Sequence, residues 1–399
     1  MAVQAMAEEP FVFSGTVATA NGLTVSVYPS LVAVEPLWRD LETRAVLTPY
    51  QRFEWIAGYC AAGFDLPDTI AILAVMDGNK PVALAPFGVS RRFGIKLAQI
   101  VGMPISNMDA ILYDPTYAER LTPELLRDAF GALRRVGADI VSFHSFVPLW
   151  QGQPNLLMGL PHVPAPNNLY LGELDALDAE FIEEALPHKR RTNIRRSKRR
   201  LTEGYGELSV RAAGSADEIE AMHAAFLDQR GKRFRAMGVA NIFAAPAFQS
   251  HFRNLAIASL GQEYPVFRYH ALYAGDEILA TSLGVCTPTH YSQYINSTTI
   301  GSASKYSLMG VMLSALLDQL RSEGYTSFDM GLGDFDYKTD WTAATTVYDS
   351  LLPVSPLGTL TAPVLLGARS AKRAIKQTPT LWTIARSVLA IKTRLLGRG

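Results

Sequence analysis

Between Phe328 and Trp341 the chain sets four aspartates, two glycines, a tyrosine and a lysine within fourteen residues. Tyr337 offers a phenol that can hand a proton to a leaving group. Lys338 offers a fixed cation for a developing oxyanion or a phosphate. Gly331 and Gly333 let the backbone approach a ligand closely. The preceding residues, Ser327 to Met330, read as a strand, and open α/β sheets bind ligands beyond the carboxyl ends of their strands. The competing reading is a surface turn in which Tyr337 and Trp341 only pack.

Two stretches are strongly basic. Eight of the twelve residues from Lys189 to Arg200 are Lys or Arg, Arg195 among them. Leu186, Ile194 and Leu201 give this stretch one thin apolar helical seam. No acid lies between Glu184 and Glu203, so neighbouring cations repel, and a bound polyanion would relieve that repulsion. A solvated helix face is the alternative. No Asp or Glu follows Asp349, whereas eight cations do, for a formal +8. There Leu381, Ile384, Ala385, Val388, Leu395 and Leu396 form a helical stripe, which suits either packing on the protein or contact with an anionic membrane.

Other chemistries are poorly supported. The seven histidines are scattered without metal-helix spacing, and the two cysteines lie far apart, which argues against a zinc site or a disulfide framework. Neither a nucleophile elbow nor a Walker loop is present. The 48% hydrophobic and 19% charged composition excludes disorder over most of the length. Equal totals of 37 basic and 37 acidic residues argue against a general nucleic-acid coat. The start, Met1 to Pro10, shows no secretory pattern, and no apolar run reaches the ~20 residues of a membrane span. A cytoplasmic location, peripheral to the inner membrane at most, is expected.

The elements that must position these groups fall in two similar series. Thr24–Tyr28 reads as a strand, followed by helices at 32–46 and 48–61. A hairpin follows, Ile70–Met76 and Pro81–Val89 around Asp77-Gly78-Asn79-Lys80. Short strands at 97–103 and 110–113, a helix from Thr122 to Gly137 and a strand at 139–146 complete the first series. The second runs through a strand at 207–213, helices from Ser215 and from 247, a hairpin around Ala274-Gly275-Asp276, a strand at 291–295, a helix from Ser307 to Gly324 and the strand at 327–330. Gln151–Asn168, rich in proline, reads as a linker. We expect an α/β fold that uses one unit twice, with divisions at 1–165, 166–355 and a basic helical tail, 356–399.

The pattern Asp329, Gly331, Gly333, Asp334, Tyr337, Lys338 and Trp341 resembles the CelD-type, BioF2-like branch of the GNAT acetyltransferase superfamily, related to the FemABX peptidyltransferases. The Lys189–Leu201 stretch is similar to that family's basic helix, and Trp38, Pro49 and Trp55 to its N-terminal half. The resemblance implies tandem GNAT-like units, each a mixed sheet flanked by helices, and acyl transfer from acetyl-CoA or another acyl-CoA to an amine or hydroxyl. No metal is expected, from the scattered histidines alone. The resemblance places His223 and Arg230 on a functional helix, and it aligns Lys305, Tyr306, Ser307, Leu308 and Gly310 with the CoA-binding helix start, though the usual glycine loop is absent there. The mechanism it suggests uses His223 or Asp334 as base, Lys338 on the oxyanion and Tyr337 as acid. Arg230, Asp329 and Arg195 would bind substrate.

The expected acceptor is a small molecule or glycan of cell-envelope or exopolysaccharide synthesis. Two alternatives stand beside this reading: an idle GNAT-like scaffold binding a polysaccharide synthase or an anionic membrane, and a FemABX-like aminoacyl transferase. Among nucleic acids only tRNA, as an aminoacyl donor, fits; general nucleic-acid binding ranks last.

Overall fold

Short-range signals lay out the elements of the computed structural model, which describes residues 17–18, 22–92, 94–103, 105–174, 182–378, 380–383 and 385. Alternating residues form β1 (Thr24–Tyr28). Ser30 caps α1 (Leu31–Glu42), which buries Val34, Trp38 and Leu41 along one face. A short 3-10 turn over Pro49–Gln51 leads to α2 (Phe53–Ala61). β2 (Thr69–Asp77) and β3 (Lys80–Arg92) close the hairpin, and β4 (Ile95–Ile100) follows. Thr122 caps α3 (Pro123–Gly131), which tightens to 3-10 geometry before left-handed Gly137 ends it. β5 (Ile140–Phe146) comes next, then β6 (His162–Glu173).

The basic stretch is α4 (His188–Tyr205), followed by edge strand β7 (Leu208–Ala212). Ser215 caps α5 (Ala216–Met237), and α6 (Pro246–Ala258) starts with proline. β8 (Phe267–Ala274), β9 (Glu277–Cys286) and β10 (His290–Thr298) form a meander. Then come α7 (Leu308–Ser322), β11 (Ser327–Leu332), β12 (Ala344–Pro353) and α8 (Pro356–Gln377).

The chain divides into two units that interleave in sequence: residues up to 53, 66–166 and from 347 onward, and residues 54–65 with 167–346. In the first the strands run β1-β2-β3-β4-β5-β12, and in the second β7-β8-β9-β10-β11-β6. Both orders are the same device. A hairpin is followed by a third strand, a helix crosses, and the fourth strand lies parallel to the third before an antiparallel strand closes the row. Leu97–Gln99 pair in parallel with Ile140–Ser142, and His290–Ser292 with Ser327–Asp329. Each unit is thus a mixed sheet flanked by helices, as expected of one α/β unit used twice.

The interleaving departs from the expected divisions. Residues 54–65 join the second unit because Trp55 packs its ring against His251, Phe267 and Tyr294. β12 and α8 join the first, because β12 pairs antiparallel with β5 and α8 lays Ala362, Leu365 and Leu366 on Ile95, Leu97 and Ile140. The proline-rich 151–168 is not a bare linker: β6 begins inside it. Of the apolar tail stripe, Leu381 and Ala385 lie within the described residues and its other members lie outside them.

Each unit has its own core. In the first, Phe87, Phe130 and Phe143 meet edge to face and tilted, with centroids 5.2–5.8 Å apart, tying α3 to the sheet. In the second, Phe252 stacks on Phe267 at 5.5 Å, and Phe226 and Phe243 flank them. Burying one such ring contributes roughly 1.5–3 kcal/mol, so these clusters hold the helices against the sheets.

Candidate active site

The parallel pairing of β10 with β11 stops early. It covers only His290–Ser292 and Ser327–Asp329, although β10 continues to Thr298 and β11 to Leu332. Two local features part the strands. Tyr294 is an extra residue in β10, where the register with β9 shifts between Leu283/Ile295 and Gly284/Gln293. Such a bulge bends its strand. β11 kinks at Gly331, whose φ of 69° is left-handed. Past the split, β11 pairs only with β6, where Tyr170 again lies in a register shift. The two strands therefore open a wedge at their carboxyl ends.

Asp329 fixes the kink. Its Oδ1 accepts from Gly331 N at 2.7 Å, and its Oδ2 lies 3.0 Å from His290 Nε2. His290 Nδ1 is 2.8 Å from the Ser327 hydroxyl. Asp329 and His290 are fully buried, so Asp329 meets chain groups and not the surface expected of a substrate ligand.

Lys338 is buried as well. Its Nζ donates to the carbonyls of Gly331 and Leu332, each at 3.0 Å. The cation lies over the rings of Tyr170 and Phe335. Burial lowers its pKa to about 8, against the pull of Asp329 and Asp334. Two of its three protons are committed to the end of β11, so it braces the strand end where an oxyanion donor was expected.

Asp334 stands exposed beside this brace. Its Oδ1 accepts from Asn168 Nδ2 at 2.9 Å and from the Tyr170 hydroxyl at 3.2 Å. Burial and then the Asp334 carboxylate push Tyr170 up to about 12. Tyr337 is half-buried and lies close to Asn296, on the part of β10 beyond the split. Burial raises its pKa, while Asn296, Arg233 and Arg230 oppose the rise. Arg230 has its pKa lowered to about 10 by burial and by Arg233, and its buried Nε has no hydrogen-bond partner. Its guanidinium lies 5.3 Å from the Phe243 ring centre. Tyr337, Asn296, Arg230 and Arg233 thus converge on the mouth of the wedge.

His223 does not join them. It is buried, with Nδ1 2.8 Å from the Tyr269 hydroxyl, and burial lowers its pKa. It precedes Arg230 by seven residues, roughly 10 Å along the helix. This one of the two expected bases is therefore two turns from Arg230 and held as a core histidine.

The start of α7 is divided in a similar way. Lys305 is exposed beside Tyr306, and Ser307 is the N-cap, with its own N–H bonded to Ser197 Oγ at 3.2 Å. Leu308 is in the core and Gly310 is buried. A Cβ on Gly310 would stand 3.1 Å from Ile194 and 3.2 Å from Arg190. This glycine therefore lets α4 pack on α7, and only Lys305, Tyr306 and Ser307 of the expected set face outward. Arg190 lies at this helix start, 3.6 Å from Asp340, with its Nε lacking a hydrogen bond.

The repelling basic helix of the sequence reading is corrected. Glu183 and Glu184 fold back on α4: Arg195 pairs with both, Arg191 with Glu184 and Lys198 with Glu183. Arg199 and Arg200 share Glu203. Among the described residues only Lys189 and Arg196 of the eight cations make no ion pair, and Arg195 is held away from a substrate role. Sequence reasoning missed Asn296, Asn168, Tyr170 and Arg233. A bulge carries no local sequence mark, so nothing in the letters singled out Asn296. A cavity of about 400 Å³ opens at the N-terminal ends of β8 and β10, lined by Arg268, Glu323 and Tyr325, and none of the expected site residues lines it. No group of three or more His, Cys, Asp or Glu among the described residues can hold a metal ion.

Comparison with known proteins bears on the fold. Residues 188–339 match the model of a family described as an acetyltransferase (GNAT) domain, and this stretch holds both parted strands. The chain shares its fold with FemX at 11% identity, over 82% of this chain and 97% of that one, with a TM-score of 0.57. It also shares it with the C-terminal domain of a proposed lysylphosphatidylglycerol synthetase from Agrobacterium fabrum, at 14% identity, 84% and 97% coverage and a TM-score of 0.51. A conserved protein of unknown function from Bacteroides thetaiotaomicron matches at 9% identity, 82% and 98% coverage and a TM-score of 0.53. A comparison with curated protein sequences gives no match. The match to the GNAT acetyltransferase domain model thus falls within the second unit, and the chain has a fold similar to that of FemX.

Proposed function

We propose that the second unit transfers an acyl group from a CoA thioester to an amine or hydroxyl acceptor. The observation that carries this reading is the wedge between β10 and β11 with the Tyr337–Asn296 pair at its mouth. Beyond Ser292, β10 presents a strand edge without its parallel partner. An extended, amide-bearing arm such as pantetheine can pair with an edge of that kind. The cations Lys305 and Arg190 at the start of α7 suit the phosphates of such a donor.

The residues divide the chemistry among them. Tyr337 gives its proton to the departing thiolate. Asp334, exposed beside the wedge, takes the proton of the attacking acceptor directly or through water. Lys338 keeps Gly331 kinked so that the wedge stays open. Arg230 and Arg233 hold an anionic group of donor or acceptor. The acceptor class we carry forward is a glycan or small molecule of envelope or exopolysaccharide synthesis, in the cytoplasm where CoA esters are made.

One observation favours a second reading. Gly310 is committed to the α4–α7 packing, so the start of α7 has no glycine free for close approach of a pyrophosphate. An aminoacyl donor fits that mouth equally. Thermal denaturation with acetyl-CoA and with desulfo-CoA separates the two. Saturation at a hundredfold excess over Kd stabilises by ~2.7 kcal/mol. A shift with both compounds, and thiol release on adding amines or sugars, supports the CoA reading. No shift with any CoA ester would remove it and leave the aminoacyl donor or a non-catalytic scaffold.

A further inference from the structure

α8 is bound firmly on one side and bare on the other. Ser355 caps it, accepting from Gly358 N at 3.1 Å, and a Cβ at Gly358 would collide with the Asp139 carbonyl. Leu365 and Leu366 lie on the first unit's core, Arg369 donates to Ser142 Oγ at 2.9 Å, and Arg373 donates to the Ala165 carbonyl. The opposite face carries Leu357, Leu360, Val364, Ala368, Ala371 and Ile375, at spacings of three and four, and all are exposed. Leu360 and Val364 are 76% and 72% exposed. Residues at these spacings share one helix face, so the stripe runs the length of a helix that cannot turn it inward.

We infer that this stripe seats the protein on an anionic lipid surface. Charge argues for that occupant. Lys372 is exposed on the flank of the stripe, and Lys376 lies one turn further, its Nζ 5.7 Å from the Trp382 ring centre. From residue 350 to the end there are eight cations and no acid. A second copy of this face would meet those cations with cations and offer no carboxylate. A bilayer rich in anionic headgroups offers an apolar layer for Leu360 and Val364 and negative charge for the lysines beside them. No helix among the described residues is long and apolar enough to cross a membrane, so the contact is a seat at the interface. The stripe belongs to the first unit, and its test uses no turnover.

The test is co-sedimentation of the full chain with vesicles of phosphatidylglycerol and phosphatidylcholine in equal parts, and with vesicles of phosphatidylcholine alone. Binding to the anionic vesicles at 0.1 M salt is expected, at least tenfold weaker on the neutral ones. Leu360→Glu with Val364→Glu should weaken it at least tenfold with the melting temperature unchanged. If that double variant does not fold, Lys372→Gln with Lys376→Gln should still weaken binding and flatten its salt dependence. Absence of wild-type binding at low salt overturns the inference. So does full binding by the folded glutamate variant, which would assign the contact to another part of the chain. A dimer in light scattering that the glutamate substitutions dissociate would show that a second copy covers the stripe.

Discussion

The ammonium of Lys338 donates to the carbonyl of Gly331 across 3.0 Å, reaching back seven residues to the left-handed kink of β11. A cation held this way acts on the shape of the wedge. Lys338→Met leaves buried carbonyls without a donor and should cost roughly 1–3 kcal/mol of stability in a urea titration. Turnover should fall with it. Lost turnover at unchanged stability would mean that Lys338 touches the reacting carbonyl and that the brace is secondary.

Tyr337 and Arg230 should fail in different ways. Tyr337→Phe keeps the ring and removes the proton, so kcat should drop on the order of 10²-fold or more, with CoA-ester affinity little changed. Arg230→Gln should raise KM for the anionic reactant and leave kcat nearly intact. An equal loss of kcat in both variants would place Arg230 in the transition state.

Acid groups buried in the first unit make its stability pH-dependent. Asp109 accepts from His144 N at 2.7 Å, and burial lifts its pKa to about 8, with Asp349 adding to the rise and Arg369 opposing it. Burial lowers His144 to about 3. Unfolded, the two groups titrate near ~3.9 and ~6.5. Below pH ~6.5 unfolded His144 takes up a proton that the folded chain refuses, opposing Asp109. Between pH ~6.5 and ~8 the folded chain still holds the Asp109 proton and the unfolded chain does not. Stability should therefore fall as pH rises through that window, by on the order of 1–2 kcal/mol. Denaturant midpoints across the window test it. Asp109→Asn should flatten the slope, and an equally steep slope in that variant would assign it elsewhere.

Arg369 carries α8 into the same cluster, 3.5 Å from Asp349 Oδ2. Asp349 also accepts from Ser145 N at 2.9 Å, at a non-glycine residue with φ of 53°. Arg369→Met strands a buried carboxylate and should cost about 3 kcal/mol. Adding Asp349→Asn should recover most of that loss. No recovery would show that the arginine acts through packing alone.

Paired cations on α4 predict weak binding to nucleic acid. With only Lys189 and Arg196 outside ion pairs on that helix, tRNA binding, if measured, should follow a log–log salt slope of about −2 or shallower. A slope near −6 would mean that Glu183, Glu184 and Glu203 yield their partners to phosphates.

Much of this protein could be read from neighbouring residues. Asp77-Gly78 specified a hairpin, Thr122 and Ser215 specified helix starts, and Gly137 a helix stop, because turns and caps depend on groups three or four positions apart. The order of these elements was enough to reveal one unit used twice, and the spacing from Asp329 to Trp341 pointed to the end of β11. What Asp329, Lys338, Arg195 and His223 do was decided only in the fold. Their partners are carbonyls, carboxylates and hydroxyls brought in by a kinked strand, a returning turn and a neighbouring strand. The parting of β10 from β11 was equally invisible, since a bulge is a mismatch between two strands and belongs to neither alone. β6 and β12 were hidden for the same reason. Each is completed by pairing with strands distant in sequence, and proline or polar residues blur the alternation that would have marked it.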